Sequence, residues 1–427
     1  MASTYLTRAI SATGDRQKWT MSVWCKRSAI ADNSALRIMT VRSGGEQEWV
    51  AFDQDDIHVS RYNNSYIYRY ITNRKFRDTN AWYHIVVTMD TTQATASNRM
   101  KLYVNGVQET SFEIETQVSQ NYSTAYNTSG FNHGIGWDGS SGSYFDGSMA
   151  HFHFIDGTAY DASTFGETDA TTGIWKPKTA PSVTYGTNGF FLKFANSGSM
   201  GTDSSGNGNN FTVSGNLTQT IDTPSNVFCT INALSKGSGI TLSNGNTTIT
   251  NGATWYSAMA TIMPSTGKWY WENKVSSLGT VNCGVTKSTQ DGTTHSSVDA
   301  GRSMYSSNGY VYNEGLASSD YVTGTTFTTN DIIGVAIDIA GDTIAYYKNG
   351  TLIHTVSDSG ISSAEGWSPA WGMNSGTFNV NFGNGYFGTT AVSSAQSPSD
   401  GIGIFEYEVP SGYKALCTKS INAQEYD

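Results

Sequence analysis

An Asn-Gly dipeptide stands twice between runs of alternating apolar and polar residues. The first stretch is RMKLYVNGVQET, residues 99–110, and the second is DTIAYYKNGTLIHTV, residues 342–356. Alternation with a period of two places the apolar side chains on one face of a β-strand. Asn and Gly tolerate the positive φ of a two-residue turn, whose twist suits the flanking strands. The two stretches therefore predict two β-hairpins, turning at Gly106 and Gly350, one in each half of the chain.

The composition favours an all-β protein with more than one core. The chain has 427 residues, which is too long for one ordinary hydrophobic core and predicts two domains. Charged residues make up 14%, aromatic residues 12%, and 24 residues are Tyr. Few charges with many aromatic and β-branched residues are typical of half-buried strands and argue against long helices or disorder.

Three segments follow from the distribution of strands and turns. Residues 1–170 and 236–427 contain strand-like stretches such as KWTMSVWCKR and DIIGVAIDIA. Residues 171–235 are rich in Gly, Ser and Asn, and the apolar stretch GFFLKFA indicates a connector that packs partly on the first domain. We predict two antiparallel β-sandwich (jelly-roll) domains joined by this segment, the second with a C-terminal extension.

Charge, hydropathy and cysteine spacing exclude several classes of function. The net charge of −10 and the pI of about 5.1 argue against binding to nucleic acid or to an anionic membrane. No apolar stretch approaches the roughly 20 residues that a membrane span needs, and MASTYLTRAIS lacks a hydrophobic signal region. The four cysteines have no C-x-x-C spacing, which predicts reduced, buried thiols and no zinc site.

Two families resemble the two halves of the chain. KWTMSVWCKR, WYHIVVTMD, RMKLYVNGV and FDGSMAHFHFIDGTAYDASTFGE occur over residues 5–166 in the order found in laminin-G-like members of the concanavalin A-like jelly rolls. GKWYWENKV, IIGVAIDIAGDTIAYYKNGTLI and NVNFG resemble the matching strands of SPRY domains. Both resemblances imply two-sheet sandwiches, which explains why the hairpin occurs twice.

Longer phrases extend the resemblance to nearly the whole chain. YLTRAISATGDRQKWTMSVWCKRS, GTNGFFLKFANSGSMGTDSSGNGNNFTV and VPSGYKALCT are similar to phrases in predicted structural proteins of tailed bacteriophages, especially marine ones. This resemblance implies a virion component, assembled in the host cytoplasm, whose partners are other virion proteins. It also implies a homo-oligomer, for which a trimer is one possibility.

Catalytic and zinc motifs are incomplete. Glucanases of the concanavalin A-like fold carry Glu-x-Asp-x-x-Glu, and the nearest stretch, FEIETQV, has Glu113 and Glu115 but Val118 at the position of the acid. This predicts no enzyme. His151 and His153 of HFHF are too few ligands for zinc and predict surface or interface side chains.

Calcium remains an alternative to the prediction of no cofactor. DSSGNGNN begins like a calcium loop at Asp203, but Ser214 occupies the twelfth position, so a polar turn is favoured. The laminin-G-like resemblance implies loop carboxylates as further candidates, and these are Asp53, Asp55, Asp56 and Asp138.

Two loops have the composition of a glycan-binding site. A sugar offers an apolar face and a rim of hydroxyls, so it needs an aromatic ring beside hydrogen-bonding groups. GIGWDGSSGSYFDG supplies Trp137, Asp138, Tyr144 and Asp146, and SSNGYVYNEG supplies Tyr310, Tyr312, Asn313 and Glu314. The alternative is that these rings pack against the edge of the sandwich.

These observations favour a non-enzymatic virion structural protein, namely a tail fibre, an appendage or a capsid decoration. Its loops would bind a host surface glycan or another virion protein. The alternatives are a purely architectural component without a host ligand and, less favoured, a glycan-degrading enzyme. The C-terminal residues 405–427 predict either an assembly contact or an edge strand that closes its own domain.

Overall fold

The computed structural model describes residues 4–30, 35–140, 142–252, 254–289, 292–293, 302–313, 320–357, 360–361 and 366–426. The chain divides into two compact units, residues 1–219 and 220–427. Strands dominate both units, and the described α-helix, α1, is Thr418–Tyr426. The predicted all-β class with antiparallel sandwiches is confirmed.

The described residues of the first unit form sixteen strands. They are β1 Tyr5–Ala9, β2 Lys18–Arg27, β3 Ala35–Ser43, β4 Glu46–Asp53, β5 Asp56–Asn63, β6 Ser65–Thr72, β7 Tyr83–Asp90, β8 Met100–Val104, β9 Val107–Glu109, β10 Phe112–Thr116, β11 Asn132–Ile135, β12 Gly147–Asp156, β13 Gly166–Thr168, β14 Trp175–Pro177, β15 Phe190–Leu192 and β16 Thr212–Ser214. Short 3-10 helices lie at Ala96–Asn98 and Ala162–Thr164.

Two antiparallel sheets make the first sandwich. The eight-stranded sheet has the order β10-β6-β5-β4-β3-β11-β1-β16, and the six-stranded sheet has the order β15-β12-β2-β7-β8-β9. Alternate residues such as Trp19, Phe52 and Ile85 are fully buried in the core. Residues 190–214 add one strand to an edge of each sheet. The domain boundaries at residues 170 and 236 stay predictions about independent folding.

The described residues of the second unit form seventeen strands. They are β17 Ile231–Lys236, β18 Thr241–Ser243, β19 Thr248–Asn251, β20 Tyr256–Ala260, β21 Lys268–Ser277, β22 Val281–Lys287, β23 Arg302–Ser306, β24 Tyr310–Tyr312, β25 Tyr321–Val322, β26 Ile332–Asp338, β27 Thr343–Lys348, β28 Thr351–Ser357, β29 Trp367–Met373, β30 Gly376–Asn381, β31 Tyr386–Phe387, β32 Thr390–Ala391 and β33 Lys414–Ala415.

The second unit is also a two-sheet sandwich. Its seven-stranded sheet has the order β17-β20-β29-β22-β23-β24-β25. Its eight-stranded sheet has the order β18-β19-β30-β21-β26-β27-β28, and β33 pairs in parallel with β21. The C-terminal segment packs on the outer face of this sheet, where Phe405 contacts Tyr270. Because Phe405 and Leu416 are fully buried, the structure supports the alternative that this segment closes its own domain.

The two predicted hairpin turns are confirmed and are built alike. Gly106 has φ +81° and Gly350 has φ +78°. In the first turn, the Asn105 side chain accepts a hydrogen bond from the backbone N–H of His84, at 2.8 Å. In the second, Asn349 accepts one from Ile332, also at 2.8 Å. The Asn thus extends the ladder to the neighbouring strand, and the Gly supplies the left-handed backbone.

Two further predictions concern single residues and membrane spans. All four cysteines are free and buried, as predicted. Among the described residues, no helix has both the length and the apolar character that a membrane span requires.

Candidate functional site

Four side chains stand side by side on the outer face of the first unit's eight-stranded sheet. They are paired in register across β3 to β6 and belong to Thr40, Trp49, Ser60 and Arg69. Val41, Val50 and Val59, their neighbours along the strands, lie in the core. Since successive side chains of a strand point to opposite faces, the four residues project away from the core. We call this surface the outer face.

Two arginines and two aromatic rings form a continuous row of contacts on the outer face. The Arg37 guanidinium lies 4.1 Å from the ring centroid of Trp49, and the Trp49 ring lies 6.2 Å from that of Tyr66. The Arg69 guanidinium lies 4.4 Å from the Tyr66 ring centroid. Cations over aromatic faces are attracted by the ring quadrupole. We call these four residues the arginine–aromatic ladder.

Several buried polar atoms of this face have no hydrogen-bond partner among the described residues. They are Nε and Nη1 of Arg37, Nε of Arg69, Oγ1 of Thr40 and Oγ of Ser60. Arg37 is 8% exposed and Ser60 is 0% exposed, whereas Tyr66, at 44%, opens to solvent. A buried polar atom without a partner costs about 1–3 kcal/mol. The outer face therefore concentrates donors that the described chain does not satisfy.

The outer face carries positive charge at neutral pH. Burial lowers the pKa of Arg37 to about 10, opposed by Asp138 and Asp53, so Arg37 stays protonated. His58 lies on the same face, with Nδ1 3.5 Å from an Asp53 carboxylate oxygen. Burial lowers the pKa of His58, and the field of Arg69 and Arg37 adds to this shift against the opposing effect of Asp53. The imidazole is therefore neutral beside two cationic guanidinium groups.

The first predicted glycan loop packs beside this face. The ring of Tyr5 stacks with the ring of Trp137, at 4.3 Å between centroids, and with the ring of Tyr144, at 5.9 Å. Both carboxylate oxygens of Asp138 accept hydrogen bonds from Ser140. Asp146 is half-buried, and burial raises the pKa of its carboxyl group. The rings thus pack on one another, as in the alternative stated for this loop.

A small notch connects that loop to the outer face. It has a volume of about 50 Å³ and is lined by Thr40, Arg42, Asn132, His133, Gly134, Trp137 and Gly139. Arg42 Nη1 donates to the backbone oxygen of Asp138, at 3.4 Å. The notch is well below the roughly 300 Å³ at which small-molecule pockets begin. It can hold water or a single substituent. Because Thr40 lines it, the notch lies at the Thr40 end of the row formed by Thr40, Trp49, Ser60 and Arg69.

The second predicted loop lies in the second unit, on and after β24. The rings of Tyr310 and Tyr312 stack at 5.8 Å with 11° between their planes, and Tyr310 is exposed. Asn313 is buried, and its backbone N–H donates to Asp320. Glu314 lies outside the described residues. The structure thus presents the tyrosine pair to solvent and places Asn313 in the interior.

The chain matches two family models. Residues 2–163 match the model described as the Concanavalin A-like lectin/glucanases superfamily, and residues 268–385 match the SPRY domain. The protein contains a concanavalin A-like domain and a SPRY domain. No curated protein sequence matches the chain.

Solved SPRY structures are among the similar proteins. The SPRY domain of human HERC1 is 18% identical, covering 35% of this chain and 96% of that one, with a TM-score of 0.30. The stonustoxin structure is 21% identical, covering 36% of this chain and 27% of that one, with a TM-score of 0.30. The TRIM65 PSpry domain is 13% identical, covering 36% of this chain and 88% of that one, with a TM-score of 0.29.

The residues proposed for calcium are engaged by other groups. The Asp203 carboxylate accepts four hydrogen bonds, from Phe191, Ser205 and Asn209. This is a polar turn. The cation Lys75 lies 2.6 Å from Asp56 and 3.6 Å from Asp55. Within the described part of the chain, no group of three or more His, Cys, Asp or Glu residues is placed to hold a metal ion.

One of the two histidines of HFHF is not placed as predicted: His151 is half-buried, whereas His153 lies in the interior. His153 is buried; its Nδ1 lies 2.9 Å from the Tyr185 hydroxyl, and its ring stacks on Phe191 at 3.9 Å. Burial lowers the pKa of His153 well below its usual range. The prediction of a surface side chain is therefore wrong for His153, because residues of the connector cover this face of the six-stranded sheet. The pairing register between β12 and β2 also shifts between Ala150 and His153.

The incomplete glucanase motif lies at the edge strand β10. Glu113 and Glu115 are exposed, and Val118 is fully buried in the core of the concanavalin A-like domain. This stretch forms the edge strand of the eight-stranded sheet, and the sequence prediction missed the arginine–aromatic ladder on the outer face of that sheet.

Proposed function

We propose that this protein is a non-enzymatic component of a tailed-phage virion that binds a saccharide on the outer face of its concanavalin A-like domain. The observation that carries the binding proposal is the arginine–aromatic ladder with its unpartnered polar atoms. The saccharide is a host surface glycan, and the protein is a tail fibre, an appendage or a capsid decoration.

The chemistry of the ladder suits a sugar. The Tyr66 ring, 44% exposed, offers apolar surface for the face of a pyranose, and the buried Trp49 ring lies beside it. The guanidinium of the half-buried Arg69 can donate hydrogen bonds to the sugar hydroxyls. Ligand sites typically combine an apolar lining with a few polar groups that set orientation.

The virion part of the proposal is supported by the phrases shared with phage structural proteins. A rigid sandwich can carry a binding face whose side chains vary without loss of the core. Weak single contacts suffice on a particle, since many copies multiply the strength of attachment. The absence of an acid at Val118 supports the non-enzymatic part.

Contact with another virion protein is the second candidate function and concerns the SPRY domain. Tyr321, Val322 and Leu352 are about half exposed or more, and the Tyr321 ring stacks on His354 at 3.8 Å. Exposed apolar side chains grouped on edge strands are typical of protein contacts. An architectural component without a host ligand would use this surface alone.

A glycan array with the full chain tests the binding proposal. We expect the wild type to bind a subset of glycans, and Tyr66→Ala to lose at least tenfold in affinity because a stacking ring is removed. Ile174→Ala, an exposed apolar residue of the same unit, is the matched control and should bind like wild type. Equal binding by both variants would place the ligand elsewhere, and no binding by the wild type would reject the glycan.

Two further measurements address the particle and the enzyme alternative. Cryo-electron microscopy of particles that incorporate a tagged chain should locate the tag at a tail tip or on the capsid; its absence from particles contradicts the virion proposal. Polysaccharides incubated with pure protein should show no new reducing ends, and their appearance contradicts the non-enzymatic proposal.

A further inference from the structure

We infer that the saccharide is anionic and that its carboxylate or sulfate group binds Arg37, with Arg69 as the second cation of the site. This inference rests on the proposed function of the same face and names the class of its ligand.

Arg37 differs from Arg27 and Arg61, the two other buried arginines among the described residues of its sandwich. Arg61 also has an unpartnered Nη1, but its Nη2 pairs with the Glu46 carboxylate at 3.0 Å. Arg27 is fully buried, and its guanidinium donates to the backbone oxygens of Ala29, Phe76 and Gln54. Arg37 is nearly as buried, but its Nε and Nη1 find no acceptor in the described part of the chain. Buried arginine N–H groups are ordinarily satisfied. The comparison indicates that an acceptor from outside the described chain completes the Arg37 site.

The charge of Arg37 also lacks a close partner among the described residues. The nearest opposing carboxylates are Asp138 and Asp53. Asp138 uses its oxygens on Ser140, and Asp53 lies against His58. A buried charge is costly unless a counter-charge with good hydrogen bonds compensates it. An anionic group bound to the guanidinium would supply both.

Arg69 extends the positive charge along the ladder. Its guanidinium covers Tyr66, and its Nε also lacks a partner among the described residues. Arg37 contacts the Trp49 ring and Arg69 contacts the neighbouring Tyr66 ring, which places the two cations along one part of the face. Carboxylate and sulfate oxygens accept strong charge-assisted hydrogen bonds from guanidinium groups. The rings of the ladder then hold the sugar that carries the anion.

The negative net charge of the protein confines the attraction of anions to the arginine–aromatic ladder. At −10, the chain repels polyanions in general. Binding of an anionic saccharide would therefore depend on the ladder itself and would weaken with single substitutions there.

The test uses three probes with one backbone: dextran, carboxymethyl-dextran and dextran sulfate. Isothermal titration calorimetry of the full chain should give affinity at least tenfold higher for one or both charged dextrans than for dextran. Arg37→Gln should lose that preference, Arg69→Gln should reduce it several-fold, and Arg37→Lys should retain part of it. Arg77→Gln, an exposed arginine of the same unit that pairs with Asp55, is the matched control and should bind like wild type.

Each outcome supports or overturns the anionic ligand, the proposed glycan site, or both. A preference for the carboxymethyl or the sulfate probe identifies the anion. Equal binding of all three probes, or a neutral glycan bound on the array with affinity that Arg37→Gln leaves unchanged, overturns the anionic ligand while the proposed glycan site stands. An equal loss in Arg37→Gln and Arg77→Gln shows non-specific attraction and also overturns it. If neither the dextrans nor any array glycan binds, the proposed glycan function falls together with this inference.

Discussion

The two units treat the outer faces of their eight-stranded sheets differently. In the SPRY-containing unit, the C-terminal segment covers the face, and the buried carboxylate of Glu272 accepts the backbone N–H groups of Glu406 and Tyr407, both at 2.9 Å. In the first unit, the face presents Arg37, whose buried N–H groups have no acceptor among the described residues. A buried polar group satisfied by its own chain is structural. For Arg37, whose Nε and Nη1 have no such partner, we propose that a ligand supplies the acceptor.

The hairpin that occurs in both units, unlike these two faces, has the same surroundings in each unit. A Cβ added at Gly106 would lie 2.8 Å from the Trp175 ring, and one added at Gly350 would lie 2.7 Å from the Tyr407 ring. In both units an aromatic side chain covers the turn. The element that is most alike in the two halves is therefore part of the scaffold, and we propose that the functional difference lies in the faces beside it.

Removal of residues 405–427 should have the largest effect, since it would uncover the face of the second unit. Phe405 and Leu416 each contribute about 2 kcal/mol through burial, and Glu272 would lose its two backbone donors. We expect calorimetry of the truncated chain to show the transition of the first unit and no cooperative transition of the second. A truncated chain that keeps both transitions would mean that the segment is dispensable for folding.

Acid should destabilise the first unit more than the second. Burial lowers the pKa values of His84 and His133, both in the first unit, to about 3. Between pH 6.5 and about 3 the unfolded state binds protons that the folded state does not, so stability falls with falling pH. From pH 6.5 to pH 4 the loss is roughly 3 kcal/mol for each histidine.

Melting temperatures of the two transitions from pH 7 to pH 4 measure this difference. Burial raises the pKa values of Glu48 and Glu272, one in each unit, to about 7. Their contribution to the stability of the folded state is largest in acid and falls as the pH rises. Because each unit has one such carboxyl group, this contribution is matched between the units. His84→Gln should weaken the pH dependence of the first transition alone. Equal shifts of both transitions would contradict the assignment.

Substitution of the turn glycines should cost an intermediate amount in both units. Gly106→Val and Gly350→Val each place a β-branched residue at positive φ against an aromatic ring. We expect a loss of about 2 kcal/mol in the unit that carries the substitution. Gly44→Val is the control, because Gly44 also has positive φ but its added Cβ would meet no atom within 4 Å. Urea unfolding should rank both hairpin variants below this control.

Arg37→Met should have the smallest effect on stability, and it sharpens the contrast between the two faces most. Replacing a buried, unpaired charge by an apolar side chain of similar length removes a desolvation cost and loses one cation–π contact of about 1 kcal/mol. We expect the free energy of unfolding to stay within about 1 kcal/mol of wild type while saccharide binding is lost. A large destabilisation would show that Arg37 has a structural role comparable to that of Glu272.

The fold was more predictable from the sequence than the site. The hairpins depend on local alternation and on Asn-Gly, and both signals lie within a few residues of one another. The ladder depends on the register of four strands, which brings Arg37, Trp49, Tyr66 and Arg69 together from separate stretches. A Trp at the outward position of EQEWVAFD was the available signal, but it does not reveal which residues lie beside it.

The predicted aromatic loop shows the same limit at a smaller scale. Its composition shows the aromatic rings, but their stacking on Tyr5 depends on a strand more than 100 residues away. His153 was predicted at the surface because the sequence does not show that Tyr185 of the connector packs over it. Long-range contacts decide which polar side chains are satisfied, and they are therefore what a single sequence hides.

A crystal structure of the full chain with the tightest-binding charged dextran oligosaccharide tests the central claim most directly. We predict a sugar ring against Trp49 or Tyr66, with its carboxylate or sulfate oxygens within hydrogen-bond distance of the Arg37 guanidinium. A saccharide bound at the Tyr310–Tyr312 pair, or on the Trp137 loop with the ladder unchanged, would contradict the account.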